Sequence, residues 1–121
     1  MRALIVDDDK TFCQLLTKIL RGNGIEADWA TDNLVGYDLS LQLHYDLFML
    51  DVRMPLLLGT EFAEGVKKGN PAAKIILISV FADKTLQQIA ADLGVLLLST
   101  PFTSDRLLQA TRELLGCSVD P

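Results

Sequence analysis

A chain of 121 residues, half of them hydrophobic, has the size of one domain and enough apolar material for one core. Its net charge of −5 and isoelectric point near 4.6 argue against non-specific nucleic-acid binding, which draws its affinity from Lys and Arg on phosphates, and suit a cation or a basic partner surface. No apolar run approaches the roughly 18 residues of a membrane span, and the apolar part of MRALIVDDDK is too short for a signal peptide.

Short apolar runs alternate with amphipathic segments along the chain. ALIV (3–6) reads as a buried strand. From Lys10, the residues Phe12, Leu15, Leu16, Ile19 and Leu20 recur at helical spacing, and Gly22-Asn23-Gly24 ends that helix. IEADWA (25–30) reads as a second, more exposed strand. Thr31 or Asp32 then caps a helix reaching to about Leu43. DLFML (46–50) is a third strand ending at Asp51, and VRMPLLLG is a loop punctuated by Pro55 and Gly59. TEFAEGVKKG (60–69) is a short helix stopped by Asn70-Pro71. KIILIS (74–79) is a β-branched strand, followed by a helix from about Asp83 to Leu93. VLLL (95–98) is the fifth strand, and Thr103 to Leu115 the last helix.

Five strands alternating with five helices predict an α/β fold. The strands are mostly continuous hydrophobic runs, as strands covered on both faces of a parallel sheet are. Right-handed crossovers then give a doubly wound sandwich. With no repeat, linker or low-complexity tract, residues 1–121 are expected to form a single domain. Cys13 and Cys117 lie far apart and outside any CxxC, the pattern of free thiols in a reducing cytoplasm, so a cytoplasmic location is expected.

In such sheets the ligand site lies beyond the carboxyl ends of the strands. Strand one ends in Asp7-Asp8-Asp9, strand three in Asp51, strand four in Ser79, and strand five in Ser99-Thr100-Pro101. Acidic and hydroxyl side chains therefore converge on one edge. Gathered carboxylates repel unless a cation sits among them. Magnesium (Mg2+) suits this setting, since it takes oxygen ligands and binds through one or two carboxylates with water and phosphate.

VDDDK (6–10), LDVRMPLLLG (50–59), ILIS (76–79) and TPF (100–102) together resemble a response-regulator receiver domain of two-component signalling, over essentially the whole chain. The resemblance implies a flavodoxin-like sheet of strand order 2-1-3-4-5. It implies that Asp51 accepts a phosphoryl group from a phosphohistidine of a sensor histidine kinase or phosphotransfer protein. Asp8 would ligate Mg2+ directly and Asp7 through water, with Asp51 itself and the backbone carbonyl of Arg53 as the other protein ligands. Ser79 would give its hydroxyl to a phosphoryl oxygen, and the peptide before Pro101 would be cis. Such a domain catalyses only its own phosphotransfer and dephosphorylation. The face formed by helix four, strand five and helix five would mediate partner contacts or homodimerisation, and an output domain could lie outside this chain.

Two positions depart from the family pattern. Thr100 stands where receivers usually carry a lysine, and Leu97 where an aromatic switch is usual; the segment between Gly94 and Pro101 also looks one residue short. A neutral hydroxyl replaces a cation that would meet a phosphoryl oxygen, so Thr100 is at most a weak phosphoryl ligand. Mg2+ binding is expected, with slow phosphorylation and weakened output coupling. The alternative is a pseudo-receiver, an interaction or dimerisation module that works without phosphorylation. Arg53 could lend the site a cation.

Other features have plainer readings. Asp9 is expected to cap the first helix. His44 and Lys67-Lys68 read as solvated surface, and Phe12 and Trp29 as packing. An aspartyl phosphohydrolase of the haloacid-dehalogenase type needs a second Asp where Arg53 stands. A phosphate-cradling loop would need glycine where this chain has Asp7-Asp8-Asp9.

Overall fold

A computed structural model describes residues 1–53 and 58–116. The elements run β1 (Arg2–Val6), α1 (Lys10–Arg21), β2 (Glu26–Ala30), α2 (Asn33–Gln42), β3 (Leu47–Asp51), α3 (Gly59–Gly69), β4 (Lys74–Ser79), α4 (Lys84–Leu93), β5 (Leu96–Ser99) and α5 (Ser104–Leu115). All four strand pairs are parallel and the order is β2-β1-β3-β4-β5, the flavodoxin-like arrangement. Cys117, and Met54 and Pro55 of the β3–α3 loop, lie outside the described residues.

The continuous apolar strands follow from a sheet covered on both sides. Ala3 and Ile5 of β1 point into one layer of the core, with Cys13, Leu16 and Leu20 of α1 and Leu107 and Ala110 of α5. Leu4 and Val6 point into the other layer, with Phe62, Ala63 and Val66 of α3 and Ala90 of α4. Alternate residues thus leave the strand on opposite faces, and both faces meet apolar partners. Phe12 and Trp29 pack against the first layer, as packing residues should.

The helix starts are fixed by side-chain caps. Asp9 accepts from the Phe12 amide (3.1 Å), Asp32 from Leu34 (2.7 Å), Asp83 from Leu86 (2.8 Å) and Thr103 from Arg106 (3.1 Å). Each such cap contributes about 1 kcal/mol. Of the two candidates for α2, Asp32 is therefore the cap. β5 begins one residue later than the apolar run suggests, because Val95 is still tied to α4, its amide donating to the Ala90 carbonyl. Gly94 makes that exit possible with φ +68°, a conformation L side chains rarely adopt.

At the amino-terminal edge of the sheet, Arg2 pairs with Glu26 (3.0 Å) and its amide donates to Asp46 (2.9 Å). Tyr45 donates to Asp28 (2.8 Å), and the exposed His44 lies 3.3 Å from Asp46. The opposite edge collects the acidic and hydroxyl residues. Among the described residues no helix is long and apolar enough to cross a membrane.

Candidate functional site

β1 and β3 are neighbours, paired in register up to Val6 and Leu50. The residues that follow, Asp7 and Asp51, therefore emerge side by side at the carboxyl edge. Asp7, Asp8 and Asp51 each place a carboxylate oxygen within 4.8 Å of the others. Asp7 is 6 % exposed, Asp51 is half-buried and Asp8 faces solvent.

Each recessed carboxylate is held by backbone. Asp7 Oδ1 accepts from the Asp9 amide at 2.9 Å, and Asp51 Oδ1 from the Arg53 amide at 2.9 Å. Below the cluster, the buried Cys13 thiol donates to the Asp7 carbonyl at 3.3 Å. Burial and the neighbouring charge of Asp7 push that thiol up to about 12, so it stays protonated and inert.

The electrostatics are those of a site short of positive charge. Burial pushes Asp7 up to about 6, against the pull of the Asp9 amide, and the charges of Asp51, Asp8 and Asp9 add to the rise. Asp51 is also raised, first by burial and further by Asp8, while the Arg53 amide and then the Arg53 guanidinium oppose the shift. A hard divalent cation would reverse both shifts by pairing with the charged forms. The donor set of carboxylate oxygens, one exposed and two recessed, fits such an ion.

β4 delivers Ser79 and β5 leads to Thr100. The Ser79 hydroxyl donates to the Phe81 carbonyl (2.8 Å) and accepts from the Phe81 amide (3.1 Å), so a local turn holds it. The Thr100 amide donates to the Ser79 carbonyl at 2.8 Å, and its hydroxyl lies 3.5 Å from the same oxygen. Thr100–Pro101 is cis.

An open pocket of about 540 Å³ joins these parts, lined by Asp7, Asp8, Asp51, Ser79, Thr100 and Pro101 among others. Arg53 does not line it, although its amide and charge act on Asp51. Phe12 and Phe102 form a further wall, their rings edge to face with centroids 5.9 Å apart. Phe12, which reads as packing in the sequence, thus also lines the pocket, together with Phe102. The signal was present in TPF, since the residue after the proline turns back toward the first helix.

Gly59 is the other close approach. A Cβ there would lie 2.3 Å from the Asp51 carbonyl oxygen and 2.9 Å from Val52 Cα, so α3 packs directly on the backbone that carries Asp51. The glycine in LDVRMPLLLG is thus a steric requirement.

Comparisons with known proteins agree with this geometry. The family model described as "Response regulator receiver domain" matches residues 3–112. The chain is 32% identical over 116 residues to the transcriptional regulatory protein CusR of Escherichia coli, covering 95% of this chain and 51% of that protein. It is 32% identical over 117 residues to the transcriptional regulatory protein ZraR of Salmonella typhimurium, covering 93% of this chain and 26% of that protein. The chain thus spans about half, or less, of the length of these relatives. Among solved structures, a CheY-like response regulator receiver domain protein from Methanospirillum hungatei aligns with TM-score 0.90 and 27% identity, over 95% of this chain and 93% of that one. With the family model matched along nearly the whole length, the chain belongs to the response regulator receiver domain family.

Proposed function

We propose that the chain receives a phosphoryl group on Asp51 from a phosphohistidine of a sensor kinase or phosphotransfer protein, with Mg2+ as the required cation. The observation that carries this reading is the convergence of Asp7, Asp8 and Asp51 within 4.8 Å, beside Ser79 in one pocket. An Asp51 oxygen forms the new bond to phosphorus as the phosphorus–nitrogen bond of the donor breaks, and the departing imidazole takes a proton from solvent. Asp8, Asp51 and the Arg53 carbonyl would hold Mg2+ directly and Asp7 through water. The ion supplies charge neutralisation between a carboxylate and an anionic phosphoryl group.

The protein's own contribution is position and a dry flank. The Arg53 amide orients Asp51, and Phe12 and Phe102 close one side of the pocket. Ser79 can donate to a phosphoryl oxygen once it releases the Phe81 carbonyl, so uptake and the β4–α4 loop are coupled through one hydroxyl. The product adds about −1.5 to −2 of charge at the sheet edge, enough to bias a two-state surface. The test is mass spectrometry after acetyl phosphate and Mg2+. A gain of one phosphoryl group is expected, and a chain that stays unmodified would instead be an interaction module.

Thr100 explains an expected slowness. Its hydroxyl is turned to the Ser79 carbonyl and brings no charge. Thr100→Lys is predicted to raise the initial rate of uptake about tenfold, a barrier change of about 1.4 kcal/mol. An equal or lower rate in the same assay would show that the missing cation is not the limit. Arg53 is the other cation in question. Because its charge opposes the rise of Asp51, Arg53→Ala is expected to slow uptake severalfold, and an unchanged rate would remove it from the mechanism.

Asp7 makes a pH prediction. Its pKa is about 6 in the folded chain against an ordinary 3.8, so the folded state binds this proton more tightly than the unfolded one. The metal-free protein is therefore favoured at low pH, and the advantage is lost as pH rises from about 4 to about 6. Measured by urea unfolding in a chelator, the stability of wild type relative to Asp7→Asn should fall across that window and level off above it. Millimolar Mg2+ should restore it at neutral pH. A difference that stays flat from acid to neutral pH would contradict the assignment.

A further inference from the structure

Val80 and Phe81, 66 and 67 % exposed, lie in the β4–α4 loop beside the acidic pocket, and a second group of exposed apolar side chains gathers away from it. Leu34, Val35 and Leu41 of α2 and Leu43 at its C-cap are 56, 55, 70 and 40 % exposed. Among the described residues, α4, β5 and α5 together expose one large apolar side chain, Ile89, at 38 %. The leucines of α5 are buried or half-buried.

The pattern around α2 is ordered. At about 100° per residue, Leu41, Leu34, Asp38, Gln42 and Val35 follow one another across an arc of roughly 120°. The opposite side is already used. Asn33 and Gly36 are buried, a Cβ on Gly36 would press on Val6 at 2.7 Å, and Tyr37 meets Phe62 edge to face at 5.4 Å. A helix with only solvent outside carries polar residues there. α2 instead carries a second apolar stripe, with one carboxylate at its centre.

The charge on that stripe has one sign. No Lys or Arg occurs from Thr31 to Leu43. None of the ion pairs among the described residues involves Asp38. Of the lysines at the end of the neighbouring α3, Lys68 pairs with Glu64. Beside the stripe, a groove of about 220 Å³ runs between α2 and α3, lined in part by Tyr37, Ser40, Leu41, Leu43 and Gly65.

We propose that the outer face of α2 docks an amphipathic helix of a partner protein that presents a Lys or Arg between apolar side chains. The basic group meets Asp38, and the apolar ones cover Leu34 and Leu41 and enter the groove. Charge selects this occupant over a second copy of the chain. Asp38 sits at the middle of α2, so antiparallel self-pairing about a two-fold axis sets the two Asp38 carboxylates against each other. A basic partner turns the same position into the centre of recognition.

The test uses the unphosphorylated chain, so its outcome is independent of Asp51. The probe is a synthetic, fluorescein-labelled amphipathic peptide of Leu and Ala with one central Lys, beside the same peptide with Glu in place of Lys. Binding is read by anisotropy and located by NMR amide shifts. The Lys peptide should bind with shifts centred on residues 34–43, and the Glu peptide about tenfold or more weaker. Leu34→Gln combined with Leu41→Gln should weaken the Lys peptide by a similar factor, and Asp38→Lys should reverse the preference. Both variants change exposed positions, and circular dichroism confirms that they fold. Equal binding of the two peptides, binding of neither, or shifts centred elsewhere would overturn the proposal. So would a dimer in sedimentation that Leu41→Gln dissolves, since the face would then belong to a second copy.

Discussion

Asp51→Asn is expected to abolish the phosphoryl mass gain while leaving the fold in place. The substitution keeps the shape of the side chain and an oxygen able to accept from the Arg53 amide, the bond that now orients Asp51 at 2.9 Å. What it removes is the anionic oxygen proposed to bond to phosphorus. It also removes one of three mutually repelling charges from a site where burial already penalises ionisation. The metal-free variant should therefore be at least as stable as wild type, with the gain greatest at neutral pH, where the lost charge was fully present. The two readouts separate the role of Asp51 from a fault in folding. An unmodified but unfolded variant would not count for the assignment, and a folded variant that still gains one phosphoryl group would place the acceptor elsewhere.

Gly59→Ala is expected to cost about 2–3 kcal/mol of stability and to impair the site with it. The new methyl would lie 2.3 Å from the Asp51 carbonyl oxygen, 2.8 Å from its carbonyl carbon and 2.9 Å from Val52 Cα. These are backbone atoms, and no rotamer change moves them aside. Either α3 shifts outward or the end of β3 is displaced, and the second course moves Asp51 itself. Gly69→Ala in the same helix is the control, since nothing lies within 4 Å of a Cβ there. Its stability should stay within about 0.5 kcal/mol of wild type. Urea unfolding gives the comparison, and the acetyl phosphate assay should show uptake lost or slowed for Gly59→Ala alone. Near-equal stability of the two variants would mean that the close approach is not rigid.

The elements that could be read in the sequence are those whose cause is local or periodic. Buried parallel strands write themselves as apolar runs, and so β1, β3 and β4 are plain in ALIV, DLFML and KIILIS. Caps are also local, and Asp9 serves α1 as its position suggests. The acidic edge was legible because strand ends converge in a doubly wound sheet, and Asp51 falls at the end of β3 beside β1. Contacts that depend on register or on distant helices were not legible. Phe12 meets Phe102 only because α1 and the end of β5 flank one pocket. The Cys13 thiol reaches the Asp7 carbonyl only after α1 folds back on β1. Nor does NLVGYDLSLQ tell its inside from its outside. Apolar residues surround α2, so periodicity gives its type and leaves its facing open until Gly36 is seen against Val6.

Ser79 is held by both polar groups of Phe81, so any partner that claims the hydroxyl frees that loop residue. Leu97 is half-buried among the apolar residues on the α2, α3 and α4 side of the sheet and has no polar end to reorient.

Calorimetric titration of the metal-free folded chain with Mg2+ at neutral pH tests most directly whether a divalent cation completes the three gathered carboxylates. One site is expected, filled at millimolar concentration or below and lost in Asp8→Asn. A folded wild-type chain that takes up no Mg2+ at millimolar concentration would contradict it.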